Sequence, residues 1–182
     1  MRDTSGILVL DANIFLVGID FTLMDGLIYT TPKIIEEIKV KRYEEKNRNI
    51  LNKIEAAINS KKLILATPSE QYVYEVEKRS KSTGDFKFLS GVDKELIALT
   101  LDLIKNSGKK VRIYSNDYSV ENVCLEMGIT FSTIHKKGIE SKIVWQIYCQ
   151  NCKIVYNPAE LKEVCENCGS KLKRRPKRKK SF

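Results

Sequence analysis

Hydrophobic residues near the start of the chain form an uninterrupted run, Ile7 to Leu10, that stops abruptly at Asp11. A short aliphatic run without polar alternation predicts a strand buried on both faces, and the carboxylate after it marks the strand's C-terminal end. A helical turn follows, and Phe21 to Tyr29 read as linker. Thr31-Pro32 then supplies a cap and a first-turn proline for a helix through IIEEIK and beyond. A second helical stretch covers roughly residues 47 to 60, and KLILA reads as another short strand. Thr67-Pro68-Ser69-Glu70 has the pattern of a capping box with proline at the first helical position. It predicts a helix through Tyr72, Val73 and Val76 that dissolves into a mobile polar loop, RSKSTGD.

Ser90 and Asp93 form a second capping-box pattern, and Leu96, Ile97, Leu99, Leu101 and Ile104 give a helix that Ser107-Gly108 ends. VRIY is a strand that stops at Ser115-Asn116-Asp117, with a helix through Val120, Val123, Cys124 and Met127 and a short strand at ITF. Short strands separated by capped helices predict an α/β sandwich with a mostly parallel sheet over residues 1–132, with its chemistry at the C-terminal strand ends. Residues 133–142 are a polar linker. Residues 143–172 change character, with alternating apolar residues and paired cysteines but too little apolar material for a core.

Cys149-Gln-Asn-Cys152 and Cys165-Glu-Asn-Cys168 are two knuckles that offer four thiolates to one tetrahedral ion, for which Zn²⁺ is the default. With IVWQIY and IVY as flanking strands, the pattern is that of a zinc ribbon. Four sulfur ligands leave no open position, so the ion's role is structural rather than catalytic. Cys124, on the periodic face of its helix, reads as a buried apolar residue.

Carboxylates recur at strand ends and helix starts. Asp11 ends the first strand, Glu37 follows in the second turn of the Thr31-capped helix, Asp93 lies in the first turn of the Ser90-capped helix, and Asp117 follows VRIY. Parallel strands would bring these into one crevice, where cations must offset their charge. Oxygen ligands suit Mg²⁺ or Mn²⁺, ions that support phosphodiester hydrolysis. The plainer reading makes Asp93 only a cap and the glutamates Glu36, Glu37, Glu44 and Glu45 solubility groups. Asn13 is placed to orient Asp11. His135, the one histidine, lies in the linker and reads as solvent-facing.

Charge sharpens the division. Of 32 basic side chains, eight fall between Lys171 and Lys180, which leaves 24 basic against 23 acidic groups in residues 1–170. Residues 173–182 therefore read as a basic disordered tail that tracks phosphates through Lys173, Arg174, Arg175, Lys177, Arg178, Lys179 and Lys180, aided by Lys153 and Lys171 on the ribbon. Tyr156 and Lys162 are further candidate contacts on the ribbon. Trp145 and Tyr148 have two readings, as ribbon mini-core or, for Trp145, as linker packing or a base-stacking platform. The longest apolar stretches fall short of the ~20 residues of a membrane helix, and the clustered cysteines with no signal-peptide-like start fit a reducing, cytoplasmic setting.

VLDANIFL, TTPKIIEEIK, LSGVDKELIALTLDL and YSNDYSVENV, followed in order by the four-cysteine ribbon, resemble the PIN-domain endonucleases of small-ribosomal-subunit maturation, the archaeal Nob type. The resemblance covers nearly the whole chain. It implies a PIN-type α/β/α fold and an endoribonuclease that uses Mg²⁺ or Mn²⁺ to mature the 3′ end of the small-subunit ribosomal RNA (16S/18S type) from its precursor. The family's acids fall on Asp11, Glu37, Asp93 and Asp117, with Glu36 as near rival to Glu37. Implied partners are the pre-ribosomal particle and its assembly factors. The family often carries a further acid where this chain has Asn116, which leaves open a non-catalytic RNA-binding assembly factor. A toxin-type nuclease is disfavoured by the ribbon and basic tail.

Overall fold

The strand β1 (Ile7–Leu10) is buried at every position, as a central strand covered on both faces must be. It pairs in parallel with β2 (Leu27–Thr30) on one side and β4 (Val111–Tyr114) on the other, with Leu10 level with Tyr114. β3 (Leu63–Leu65) and β5 (Phe131–Ser132) complete a five-stranded parallel sheet in the order β3-β2-β1-β4-β5. The computed structural model describes residues 6–17, 20–40, 44–134, 138 and 141–181. His135 lies outside the described residues, as do the side chains of Arg178, Lys179 and Lys180.

Helices α1 (Ala12–Leu16), α2 (Pro32–Ile38) and α3 (Glu44–Asn59) pack with one another, and α4 (Glu70–Thr83), α5 (Gly91–Asn106) and α6 (Tyr118–Glu126) form a second group. The expected α/β sandwich is therefore what the chain forms. Among the described residues no helix is long and apolar enough to cross a membrane.

Three local expectations are corrected. The stretch read as linker contains β2, whose four residues are too few to show a period by themselves; parallel pairing with β1 and β3 defines it. The polar run after Val76 is helix rather than mobile loop, because Ser80 and Thr83 are buried and their hydroxyls donate to the carbonyls of Glu77 and Ser80. Helix α4 ends at Gly84, in the left-handed conformation at φ 83°, where a β-carbon would stand 2.8 Å from Cβ of Trp145. At its other end Pro68 precedes the cap residue Ser69, whose hydroxyl and N–H both donate to Asp102 instead of closing a capping box.

The largest correction concerns the basic tail. A second, antiparallel sheet in the order β7-β6-β8 comprises β6 (Ser141–Cys149), β7 (Val155–Tyr156) and β8 (Leu172–Ser181). The segment expected to be disordered is β8, paired with β6 from Cys149↔Leu172 to Ser141↔Ser181. Backbone pairing along β6 holds a strand whose composition alone predicts disorder. Pro176, which has no N–H to give, sits opposite Trp145 where the register shifts, on an edge strand that tolerates it.

Candidate functional site

Because β1 and β4 are parallel neighbours in register, the residues just beyond their C-terminal ends stand side by side. Asp11 is almost fully buried there and accepts three hydrogen bonds: from the Ala12 N–H at 2.6 Å, from the Ser115 hydroxyl at 2.6 Å, and from the Asn13 carboxamide. The Asn13 oxygen in turn accepts the Asn116 N–H at 3.1 Å, and Ser115 Oγ accepts the Asp117 N–H at 3.1 Å. Asp117 caps α6 by accepting the Ser119 N–H at 2.6 Å. Asn13 thus orients Asp11 as expected. Ser115, which sequence reasoning passed over, joins Asp11 to Asp117; its place directly after the strand was the available signal. Asn116 turns its oxygen to the Ile134 N–H at 2.9 Å.

Two helices bring the other acids. Asp93 and Ser90 close a reciprocal capping box on α5, at 2.8 and 3.0 Å. Glu37 lies on α2, which Lys33 ties to α5 through an ion pair with the nearly buried Glu95. Asp93 and Asp117 lie near enough to Asp11, and Asp93 near enough to Glu37, for their charges to act there. Burial pushes Asp11 up to about 6, and the charges of Asp93 and Asp117 push the same way. Burial and Asp93 also raise Glu37. Glu36, exposed like Glu37, acts on Lys33 instead. Among the described residues no three of these carboxylates have their oxygens within 4.8 Å of one another.

The four cysteines do meet that spacing. Cys149 and Cys168 sulfurs are 3.5 Å apart, Cys152 and Cys165 3.3 Å, and Cys152 and Cys168 3.8 Å. A tetrahedron with Zn–S bonds of about 2.3 Å has edges of about 3.8 Å, so the donor set could hold a structural Zn²⁺. The two knuckles share one backbone plan. The N–H groups of Lys153 and Gly169 donate to the carbonyls of Cys149 and Cys165, while the Cys149 and Cys165 N–H groups donate to Ile154 and Ser170. The Tyr156 hydroxyl accepts the Glu166 N–H and lies 3.1 Å from the Cys165 sulfur, whose pKa it lowers. Cys124 is fully buried, and desolvation drives its thiol pKa far above the ordinary range, consistent with a packing role.

The basic residues divide. Lys171, Lys173, Arg175 and Lys177 are exposed, although Arg175 stacks on Tyr148 and donates to Gln146. Lys153 folds back on the carbonyl of Gln150, and Lys162 pairs with Glu160 and Glu166. Arg174 faces the body. Its guanidinium lies between Phe88 and Trp145, 3.2 and 4.0 Å from the ring centroids, and contacts Asp85 at 3.3 Å. Asp85, buried in the segment read as a loop, also accepts from Asn122 at 2.7 Å and from Trp145 Nε1 at 2.9 Å. Trp145 therefore fastens the small sheet to the α/β body, which neither of its sequence readings anticipated in that form.

Residues 8–103 match the family described as PIN domain of ribonuclease. The chain is 34% identical to "Endoribonuclease Nob1" of Pyrococcus abyssi over 174 residues, 96% of each chain. It is 32% identical to "Endoribonuclease Nob1" of Methanocaldococcus jannaschii over 167 residues, 92% of this chain and 76% of that one. It is 30% identical to "Ribonuclease VapC1" of Thermoplasma acidophilum, over 92% of this chain and 77% of the relative. With this match, these relatives and a four-cysteine cluster beyond the α/β body, the chain belongs to the PIN-domain ribonucleases and is related to the archaeal Nob1-family endoribonucleases.

Proposed function

We propose that the protein is a metal-dependent endoribonuclease that processes the 3′ end of the small-subunit ribosomal RNA precursor. One observation carries the catalytic part: the parallel register of β1 and β4 sets Asp11 beside Asp117, with Ser115 bonded to both, and the Asp93 charge raises both Asp11 and Glu37. An excess of negative charge around a buried carboxylate is an environment that a divalent cation relieves. Asp11, Glu37, Asp93 and Asp117 would hold Mg²⁺ or Mn²⁺, which when bound supplies an activated water and offsets charge on the phosphate.

The chain's own groups prepare that site. Ser115, Asn13 and the Ala12 N–H fix both oxygens of Asp11, so the carboxylate keeps one orientation whether or not substrate is present. Exposed Lys171, Lys173, Arg175 and Lys177 give the RNA backbone a cationic surface. The RNA class and the pre-ribosomal setting rest on relatedness to the Nob1 endoribonucleases over most of the chain. Assembly factors as partners and a cytoplasmic location belong to the same reading.

Hydrolysis by water leaves a 5′ phosphate and a 3′ hydroxyl. The test is incubation with a precursor fragment spanning the mature 3′ end, with Mn²⁺, Mg²⁺ or neither, alongside Asp11→Asn and Asp117→Asn. Cleavage that requires the metal and disappears in both variants, with RNA binding retained, is the expected result. Binding without cleavage under all conditions overturns the enzyme and leaves a non-catalytic assembly factor.

A further inference from the structure

Between α6 and the small sheet lies a cavity of about 350 Å³, lined by Tyr118 and Ser119 of α6, Ile143 and Trp145 of β6, and Arg174 of β8. Its position follows from the chain. Tyr118 and Ser119 come immediately after Asp117, so the cavity opens one residue from a carboxylate of the acidic crevice. The volume is at the lower end of small-molecule sites, which run from about 300 to 1,000 Å³, and too small for a folded segment of protein.

We propose that this cavity is a subsite for one unpaired nucleobase of a single-stranded RNA. Two aromatic residues and an isoleucine give the lining the character that stacking requires, since every base has a π-face and stacking tolerates any sequence. Arg174 is preset rather than free to wander: Asp85 takes one arm of its guanidinium and Phe88 and Trp145 hold its plane. A guanidinium carries five N–H donors, and among the described residues Asp85 takes one of them, so a base carbonyl has a donor to meet. The Ser119 hydroxyl offers a second polar point on the wall. Asn122 offers none, because its carboxamide is committed to Asp85 and to the backbone of Ile143. A base in a double helix is stacked and paired on both sides and cannot enter, so the subsite selects single strands.

This inference takes from the nuclease reading only that the strand is RNA. Trp145 is the chain's one tryptophan, so its fluorescence reports the cavity directly. The full-length protein is titrated with short oligoadenylate, with a duplex of equal length, and with an abasic ribose-phosphate strand, all without added Mg²⁺ or Mn²⁺. Oligoadenylate is expected to quench saturably and the other two to leave the emission unchanged. Tyr118→Ala and the cavity-filling Ser119→Leu should each weaken the oligoadenylate response about tenfold. No quench with oligoadenylate, an equal quench with the abasic strand, or a response insensitive to both variants overturns the subsite and leaves the cavity to an apolar side chain of a protein. Metal-dependent cleavage without quenching refutes the subsite alone. Quenching without cleavage refutes the nuclease and keeps the subsite.

Discussion

The cysteine sulfurs approach one another at 3.3 to 3.8 Å in three pairs, whereas no three of the four carboxylates gather within 4.8 Å. The difference follows from how each group is assembled. Each knuckle is a single turn closed by its own backbone hydrogen bonds, so two short segments nearly complete the tetrahedron. The acids arrive on four elements scattered from Asp11 to Asp117 and repel one another once there. The ribbon is thus a site whose geometry fits its ion closely, with little core to hold it otherwise. The crevice is held by a large core and stores electrostatic strain that an ion would release.

Removing metal should separate the two most sharply. The buried core around the cysteines is small, with Tyr156 and partly buried Ile147 and Leu172, so folding of the ribbon leans on zinc, worth about 10 kcal/mol or more in such units. Chelation, or Cys165→Ser, is expected to abolish the Trp145 near-ultraviolet signal while far-ultraviolet helicity from the α/β body persists. Simultaneous loss of both signals would break the comparison.

In the crevice the expectation has the opposite sign. Asp11→Asn should lower cleavage by about a thousandfold, the scale of losing electrostatic stabilisation in an active site. Without metal, ionising the wild-type carboxyl opposes folding, because its pKa rises to about 6 on folding. A raised acid pKa means the folded state favours the proton. Stability therefore falls as pH rises from about 4 through 6 and levels off above, by about 3 kcal/mol for this one group. Thermal melts across that range should show the decline, and saturating Mn²⁺ or Mg²⁺ should cancel it. A flat profile without metal would sink the idea of stored strain.

The contact between the two regions has an intermediate effect. Asp85→Ala leaves Arg174 partly buried without its carboxylate and costs about 2 to 3 kcal/mol. Limited proteolysis should then cut between the α/β body and the small sheet, with the body intact. Unaltered digestion would mean that the aromatic sandwich around Arg174 suffices.

Legibility in the sequence tracks the range of the forces involved. β1, the α5 cap and both knuckles were readable because a few neighbouring residues determine each: an aliphatic run ended by Asp11, the reciprocal Ser90-Asp93 pair, and cysteines two residues apart. β2 was not readable, being a strand only by virtue of pairing with distant chain. The last turns of α4 hid behind serines and a threonine whose hydroxyls bond to their own helix. β8 hid behind its charge, since nothing local announces that Arg174 meets Asp85 or that β6 supplies a backbone partner. The acidic residues were readable one at a time; that Ser115 links two of them, or that Asp93 acts on Asp11, is a property of the fold.

The smallest effect tests whether the two knuckles are equivalent. Both place the residue after the second cysteine in the left-handed region, at φ 65° and 69°, yet one is Lys153 and the other Gly169. A side chain there costs about 1 kcal/mol relative to glycine, and a β-carbon at Gly169 would meet nothing within 4 Å, so the cost is backbone conformation alone. Lys153→Gly removes it at the expense of an exposed hydrogen bond to the Gln150 carbonyl. Zinc affinity, read by competition with a chelator, should tighten about two- to fivefold in Lys153→Gly and weaken by a similar factor in Gly169→Lys. The double exchange should restore the starting value, because the cost at each position is a local backbone one. A double variant weaker than the wild type would show that the first knuckle uses the lysine for more than its backbone, and that the ribbon's halves only look alike.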